Sequence, residues 1–240
     1  MTSVIKEYHV EFTYEKERIK MRLDEHHESL LRWASSDKKL TFREEPMLRY
    51  LKDQQIIGPG STVVEVGAYI GNHVIFYSKI VGVRAVIAFE PTLRSFGILK
   101  ENIEKNELDN VLTYNYAVAN MIGLSKCNIR KENNPAKNQW FLTKETDGDC
   151  IPTVTLDSEV GDVTVDFIKI DAEGMEIEVL KGGEETIKRD SPTLMVEILK
   201  ENLEEFERLM ADWDYQMIDA KPFPLNRTKK ANTLLYMRNK

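Results

Sequence analysis

Hydrophobic positions along the chain follow two different periods. Tyr8, Val10, Phe12 and Tyr14 alternate with His9, Glu11 and Thr13, and Ile19, Met21 and Leu23 alternate with Lys20 and Arg22. A period of two on either side of Glu15-Lys16-Glu17 predicts an antiparallel hairpin. Glu44-Glu45-Pro46 then reads as a helix start with Met47, Leu48 and Leu51 on its apolar side, and Gly58-Pro59-Gly60 breaks the chain. From residue 61 short β-branched runs alternate with helical spacing. Strands are predicted at Thr62–Val66, Arg84–Phe89, Val111–Val118, Val163–Ile170 and Thr193–Leu199. Between them lie helices carrying Val74, Ile75 and Tyr77, then Leu93, Phe96, Leu99 and Ile103, then a segment ending at Gly182-Gly183. Leu203, Phe206, Leu209 and Trp213 stripe a last helix. Tyr215–Ile218 and Thr233–Arg238 supply two final strands across the loop 221–232. Such alternation implies an α/β fold with a parallel sheet and right-handed crossovers, so a ligand belongs at the carboxyl ends of the strands.

Residues 119–162 interrupt the rhythm. Asn133-Asn134-Pro135 and Asp147-Gly148-Asp149 are turn clusters with Trp140-Phe141 between them, and Thr153–Leu156 reads as a short strand leading back. An irregular segment of this length is expected to be a lid or substrate loop, with Trp140 either stacking on a sugar ring or anchoring the loop. The 240 residues fit a single domain. Within it, residues 1–57 form a hairpin and helix extension and residues 58–240 a core containing the 119–162 insertion.

The net charge of −7 gives a phosphate backbone no overall attraction, which argues against a nucleic-acid substrate. Cys127 and Cys150 are too few and too far apart for a disulfide framework or zinc knuckle. The first residues carry no apolar leader-like stretch and no run approaches a membrane-spanning length, so a cytoplasmic protein without membrane insertion is the expectation. His26 and His27, adjacent in a polar stretch, point different ways and read as a surface loop.

Candidate chemistry gathers where the first core strand meets its helix. Thr62–His73 reads as a buried strand, a turn at Gly67 and a helix opening at Gly71. A dinucleotide site uses G-x-G-x-x-G and offers its helix N-terminus to a diphosphate. Here the pattern is Glu65-x-Gly67-x-x-x-Gly71, and an acidic turn suits the ammonium and sulfonium of S-adenosylmethionine instead. Glu90 ends the second strand, 23 positions after Gly67, where an acid accepts hydrogen bonds from both ribose hydroxyls. Asp171, Glu173 and Glu197 lie at the tips of two further strands on the same edge. Glu173 has a second reading as a helix cap. Lys169, in a central strand, requires a nearby acid as partner. Asp171, Glu173 and Glu197 could also offer oxygens to a hard cation, although Lys169 already supplies charge there and an obligatory metal is not favoured.

Val64–His73, Ala88-Phe-Glu-Pro91, Asn115-Tyr-Ala-Val118 and above all Phe167-Ile-Lys-Ile-Asp-Ala-Glu-Gly-Met-Glu-Ile-Glu-Val-Leu-Lys-Gly182 resemble the FkbM family of class I S-adenosylmethionine-dependent methyltransferases. The resemblance covers about residues 60–200. It implies a Rossmann-like sheet of seven strands with the last antiparallel, and methyl transfer to oxygen, often on sugar hydroxyls of glycans or glycosylated metabolites. On that reading Glu65, Gly67, Ala68, Gly71 and Asn72 hold the methionine end, Glu90 the ribose, and Tyr116 and Ala117 the adenine. Asp171 is the first choice as general base, with Glu197 second and His73 third, and Glu173 completes the catalytic set. Two departures stand out: Glu65 occupies a position where Asp is commoner, and Ile198 follows Glu197 where a histidine often does. The alternatives are a methyltransferase of a polyketide or other small metabolite, and a cofactor-binding module without turnover.

Overall fold

The computed structural model describes residues 6–24, 41–128, 139–144, 150–218 and 231–238. At the N-terminus β1 (Glu7–Tyr14) and β2 (Glu17–Asp24) pair antiparallel from Glu7↔Asp24 to Tyr14↔Glu17. Glu15 and Lys16 turn the hairpin at φ 46° and 78°, the left-handed pair that a tight two-residue connection requires. Alternation buries Phe12, Tyr14, Ile19, Met21 and Leu23 on one side, where they meet Met47, Leu48 and Leu51 of α1 (Glu45–Asp53).

The core strands follow as β3 (Thr62–Val66), β4 (Ala85–Phe89) and β5 (Val111–Tyr114). The helix after β3 begins as α2 (Asn72–Ile75) and continues as a π-helical turn over Phe76–Val81, and α3 (Leu93–Lys105) joins β4 to β5. A second group comprises β6 (Ala117–Val118), β7 (Gly123–Asn128), β8 (Gln139–Thr143) and β9 (Cys150–Val154). The chain returns through α4 (Leu156–Val160), β10 (Phe167–Ile170), α5 (Glu176–Gly182), α6 (Glu184–Asp190), β11 (Thr193–Leu199), α7 (Leu203–Asp212), β12 (Tyr215–Met217) and β13 (Ala231–Arg238).

Seven strands form one sheet in the order β12-β13-β11-β10-β3-β4-β5. The pairings among β11, β10, β3, β4 and β5 are parallel, and β13 runs antiparallel to both β11 and β12, which is the expected topology. Chain order reverses between β3 and β10, so a crevice opens at their carboxyl ends. Val63, Val86, Phe167, Met195 and Leu235 face the hairpin, α1 and α3; Val64, Ile168, Leu194 and Val196 face α5 and α7.

Five expectations need correction. The strand placed at Val163–Ile170 starts only at Phe167, with Val163 exposed. Residues 119–162 are not simply irregular: β6, β9, β7 and β8 make a separate four-stranded sheet, with Thr153 Oγ1 donating to Ser125 Oγ inside it (2.7 Å). Trp140 lies in β8 opposite Cys127, half-buried. The run Val111–Val118 divides between the two sheets, because Asn115 turns its side chain to donate to Glu90 O (2.8 Å) and Pro91 O (3.0 Å). The strand placed at Thr153–Leu156 ends at Val154, where Thr155 caps α4 by accepting the Ser158 N–H (3.1 Å). Leu93 is 74% exposed; the buried side of α3 is Ser95, Ile98, Leu99 and Asn102. That polar side has a purpose, since Asn102 and Asn106 exchange hydrogen bonds with the backbone of Arg22 and Lys20 and so satisfy the open edge of β2. His26, His27, the clusters at 133–135 and 147–149, and most of 221–232 lie outside the described residues. Among the described residues no helix is long and apolar enough to cross a membrane.

Candidate functional site

The turn after β3 is fixed by close backbone contact. Gly67 has φ 83°, and a Cβ there would lie 1.9 Å from the Asp171 carbonyl oxygen. Gly67 N and Ala68 N both donate to Phe89 O at 2.9 Å, and Asp171 N donates to Val66 O at 2.9 Å. The turn is therefore stitched to the strands on both sides. Gly71, at φ 86°, lets Leu99 approach where a Cβ would stand 2.6 Å from its Cδ1.

Glu90, buried at the tip of β4, accepts the Tyr69 N–H on Oε2 (2.8 Å) and the Thr92 N–H on Oε1 (2.8 Å). Burial pushes its pKa up to about 7 against the pull of those two N–H groups. Each oxygen keeps lone-pair capacity for a further donor. The Tyr116 ring stacks on Tyr114 (5.8 Å between centroids), which stacks on Phe89 (5.2 Å), and Ala117 is buried beside them in sequence.

Strand register explains why the acids converge. Ala88, Glu65, Lys169, Met195 and Leu235 are paired in sequence across five strands and form one layer on the hairpin side of the sheet. Side chains repeat every two residues, so the next layer toward the carboxyl edge holds Gly67, Asp171, Glu197 and Thr233, of which Glu197 and Thr233 are paired. Lys169 connects the layers: its Nζ lies 3.6 Å from Glu65 Oε1 and 3.4 Å from Asp171 Oδ2. Burial alone would lower the pKa of this ammonium, but Asp171, Glu65, Glu44 and Glu197 together raise it well above its ordinary value.

His73 is enclosed rather than open. Its Nδ1 is 3.3 Å from Glu65 Oε1, while Nε2 faces Glu44 Oε2 at 3.5 Å and Arg43 O at 3.3 Å. Neighbouring Asn72 accepts the Arg43 N–H on Oδ1 (3.2 Å). Among the described residues Asn72 Nδ2 and Glu65 Oε2 are buried without a hydrogen-bond partner, a donor and an acceptor within one turn.

The remaining acids face one another. Glu173 stands at φ 49°, and burial followed by the charges of Asp171, Glu197 and Glu176 pushes its pKa up to about 8. Glu197 is raised to about 7 by burial and by Asp171, with Lys169 pulling the other way. Glu176, almost fully buried, is raised to about 7 by burial although its Oε1 accepts the Gly174 N–H (2.8 Å). The cap reading for Glu173 does not hold: α5 begins at Glu176 with Met175 at its N-cap and no side-chain cap bond. Among the described residues no three His, Cys, Asp or Glu side chains are gathered as a metal-holding cluster, so Asp171, Glu173 and Glu197 do not form one in this arrangement.

Sequence reasoning brought Glu65, Gly67, Glu90, Asp171 and Glu197 to one sheet edge, where the structure has them. It missed Arg43 and Glu44 as neighbours of the turn and Glu176 as a buried member of the acid group. The signal for Glu176 was its place in the Asp171–Glu178 run; nothing local marks Arg43 or Glu44.

The family model for the methyltransferase FkbM domain matches residues 65–219. No curated protein matches the chain in sequence. Among solved structures, the methyltransferase FkbM from Methylobacillus flagellatus KT aligns with a TM-score of 0.55 at 19% identity, over 75% of this chain and 44% of its own length. An rRNA methylase from Streptococcus thermophilus aligns at 0.52 and 12% identity over 85% and 100% of the two chains. A candidate methyltransferase from Streptococcus mutans, solved in complex with SAH, aligns at 0.52 and 10% identity over 82% and 99%. At these identities the likeness is one of fold, and this chain spans less than half the length of the Methylobacillus protein.

Proposed function

Because the chain belongs to the FkbM methyltransferase family, we propose that it moves a methyl group from S-adenosylmethionine to a hydroxyl of a sugar in a glycan or glycoconjugate. The observation that carries this reading is the layer of acids beside the glycine turn, with Asp171 against Lys169 and next to Glu197. The donor set fits the cofactor. Glu65 Oε2 and Asn72 Nδ2, both buried and unpartnered, suit the ammonium and carboxylate of a methionine moiety, and Gly67, Ala68 and Gly71 let it approach the backbone. Glu90 has acceptor capacity left for a ribose diol, and Tyr116 and Ala117 offer the adenine a flat wall. Bound there, S-adenosylmethionine supplies an electrophilic methyl group on a positively charged sulfur.

The protein's own part is to orient an acceptor oxygen and take its proton. Holding the reacting atoms in line contributes about 7–11 kcal/mol, whereas general-base assistance is typically worth about 10²–10⁴ in rate. Asp171 is our base: it is bonded through its backbone to the turn strand, and Lys169 lies against its carboxylate. Glu197, raised to about 7, is next in reach of the same layer and Glu173 completes the wall; the enclosure of His73 by Glu65, Glu44 and Arg43 makes it a positioning group. A wall of carboxylates accepts hydrogen bonds from neutral polyols and repels phosphate, which favours a sugar hydroxyl over a nucleic acid.

The test is turnover of purified protein with labelled cofactor against nucleotide sugars, rhamnosides and other deoxysugar glycosides, with polyketide aglycones alongside. Label entering a sugar supports the proposal. Label entering only the aglycones moves the acceptor to small metabolites, and cofactor binding without turnover over the whole panel overturns catalysis.

A further inference from the structure

Phe42, Arg43 and Glu44 lie upstream of the residues that match the family model, yet they sit against the glycine turn. Phe42 anchors them. It packs edge-to-face on Phe12 (5.4 Å), Tyr14 (5.2 Å) and Phe76 (5.2 Å), tying the hairpin to the helix that follows the turn. The next two residues grip the start of that helix through Asn72 and His73. Glu44 does so from a left-handed backbone at φ 57°, ψ 25°, a conformation that a non-glycine residue keeps only when its surroundings hold it.

From Glu44 a line of ionisable side chains runs inward without a gap. Glu44 Oε2 is 3.5 Å from His73 Nε2, His73 Nδ1 is 3.3 Å from Glu65 Oε1, Glu65 Oε1 is 3.6 Å from Lys169 Nζ, and Lys169 Nζ is 3.4 Å from Asp171 Oδ2. Its three inner members are almost completely shielded from water, so each depends on its neighbours for solvation. The chain begins in the N-terminal extension and ends at the proposed base.

We infer that Glu44 is a positioning residue, the outer end of a line of polar contacts through which Phe42–Glu44 holds the glycine turn and Asp171 in register. Docking of this strap and binding of the cofactor are then coupled. Linkage makes the coupling reciprocal: whatever the strap adds to cofactor affinity, the cofactor returns as protection of the strap. The inference rests on the reading of the Gly67–His73 turn as the S-adenosylmethionine site.

The full chain and its Glu44→Gln and Glu44→Ala variants are titrated calorimetrically with S-adenosylhomocysteine, with thermal unfolding measured in parallel. Glu45→Gln serves as control. Glu45 neighbours Glu44 but belongs to a different contact, accepting the Tyr14 hydroxyl (2.9 Å) and pairing with Arg49. We expect both Glu44 variants to bind about 5- to 150-fold more weakly, Glu45→Gln to shift the melting temperature with unchanged affinity, and amide exchange over residues 41–53 of the wild type to slow when S-adenosylhomocysteine is added. Wild-type protein that does not bind at all overturns the cofactor reading. Wild-type protein that binds, with Glu44 variants of equal affinity, overturns the strap and leaves the cofactor reading standing. Should both variants fail to fold, wild-type exchange decides: protection of the strap supports the coupling and unchanged exchange removes it.

Discussion

Two sets of acids share one sheet edge and are treated differently by the fold. Glu65 and Asp171 flank Lys169, so their charge is balanced within 3.6 Å. Glu173 and Glu176 have mainly other acids for company, and burial leaves them titrating near 8 and 7. An acid set beside an ammonium in this way is placed to hold a cationic ligand or to accept a proton. An unpaired one is already partly protonated at neutral pH and acts as a hydrogen-bond donor as much as an acceptor. The same residue type thus stands in two electrostatic settings on one edge, one beside the lysine and one set chiefly by burial.

Removing the charge of the paired acid is the sharpest way to break this division. Asp171→Asn keeps the shape and should lower kcat by about 10²–10⁴ with S-adenosylhomocysteine affinity little changed. Single-turnover rates on the acceptor found by the screen measure it, and a normal rate there with a crippled Glu197→Gln would move the base to Glu197. Replacing the balancing cation comes next. Lys169→Met leaves Glu65 buried with only His73 beside it and should cost about 3–5 kcal/mol in denaturant unfolding, most of it recovered when Glu65→Leu is added.

Glu90 tests the comparison at a distance from Lys169. Glu90→Ala should weaken S-adenosylhomocysteine binding by about 2–4 kcal/mol, seen by calorimetry, and should also lower the melting temperature because Tyr69 N–H and Thr92 N–H lose their acceptor. In the wild type the affinity should rise as pH passes through about 7, where the Glu90 carboxyl ionises. The effect that is smallest per unit of pH belongs to the unpaired set. The folded pKa of Glu173 lies above its unfolded value, so the folded state binds the extra proton, and the stability this contributes is full below about 4.5 and is lost as pH rises through about 8. Denaturant midpoints between those limits should fall with pH by at most about 1.4 kcal/mol per unit from this group, and Glu173→Gln should flatten the slope.

Much of this was legible in the residues themselves. The strands β3, β4, β10 and β11 are unbroken apolar runs because both faces of the sheet are covered, and Glu65 or Lys169 inside such a run is conspicuous. The sheet of β6 to β9 was hidden for the opposite reason. Its strands are short and of mixed polarity, and β6 finds its partner only at Thr153–Val154, far along the chain. The boundary between β5 and β6 was lost because Val111–Val118 is apolar or aromatic on both sides of Asn115, and only the Asn115 side chain reveals the break. Periodicity also has no mark for the π-helical turn at Phe76–Val81, which differs from an α-helix by one residue in register. Glu44 escaped because its partner is 29 positions away and its own surroundings announce only a helix start.

The absent side chain at Gly67 has a consequence for how this scaffold can be altered. With the Asp171 carbonyl oxygen occupying the space a Cβ would need, the turn proposed for the cofactor and the residue proposed as base are spaced by main chain against main chain. The 119–162 segment is itself part of the scaffold, since Val154, Leu156 and Val160 pack into the core and Ala119 O lies where a Cβ at Gly182 would stand. A single methyl group added at position 67 would drive the two strands apart, and the proposed donor site and base with them.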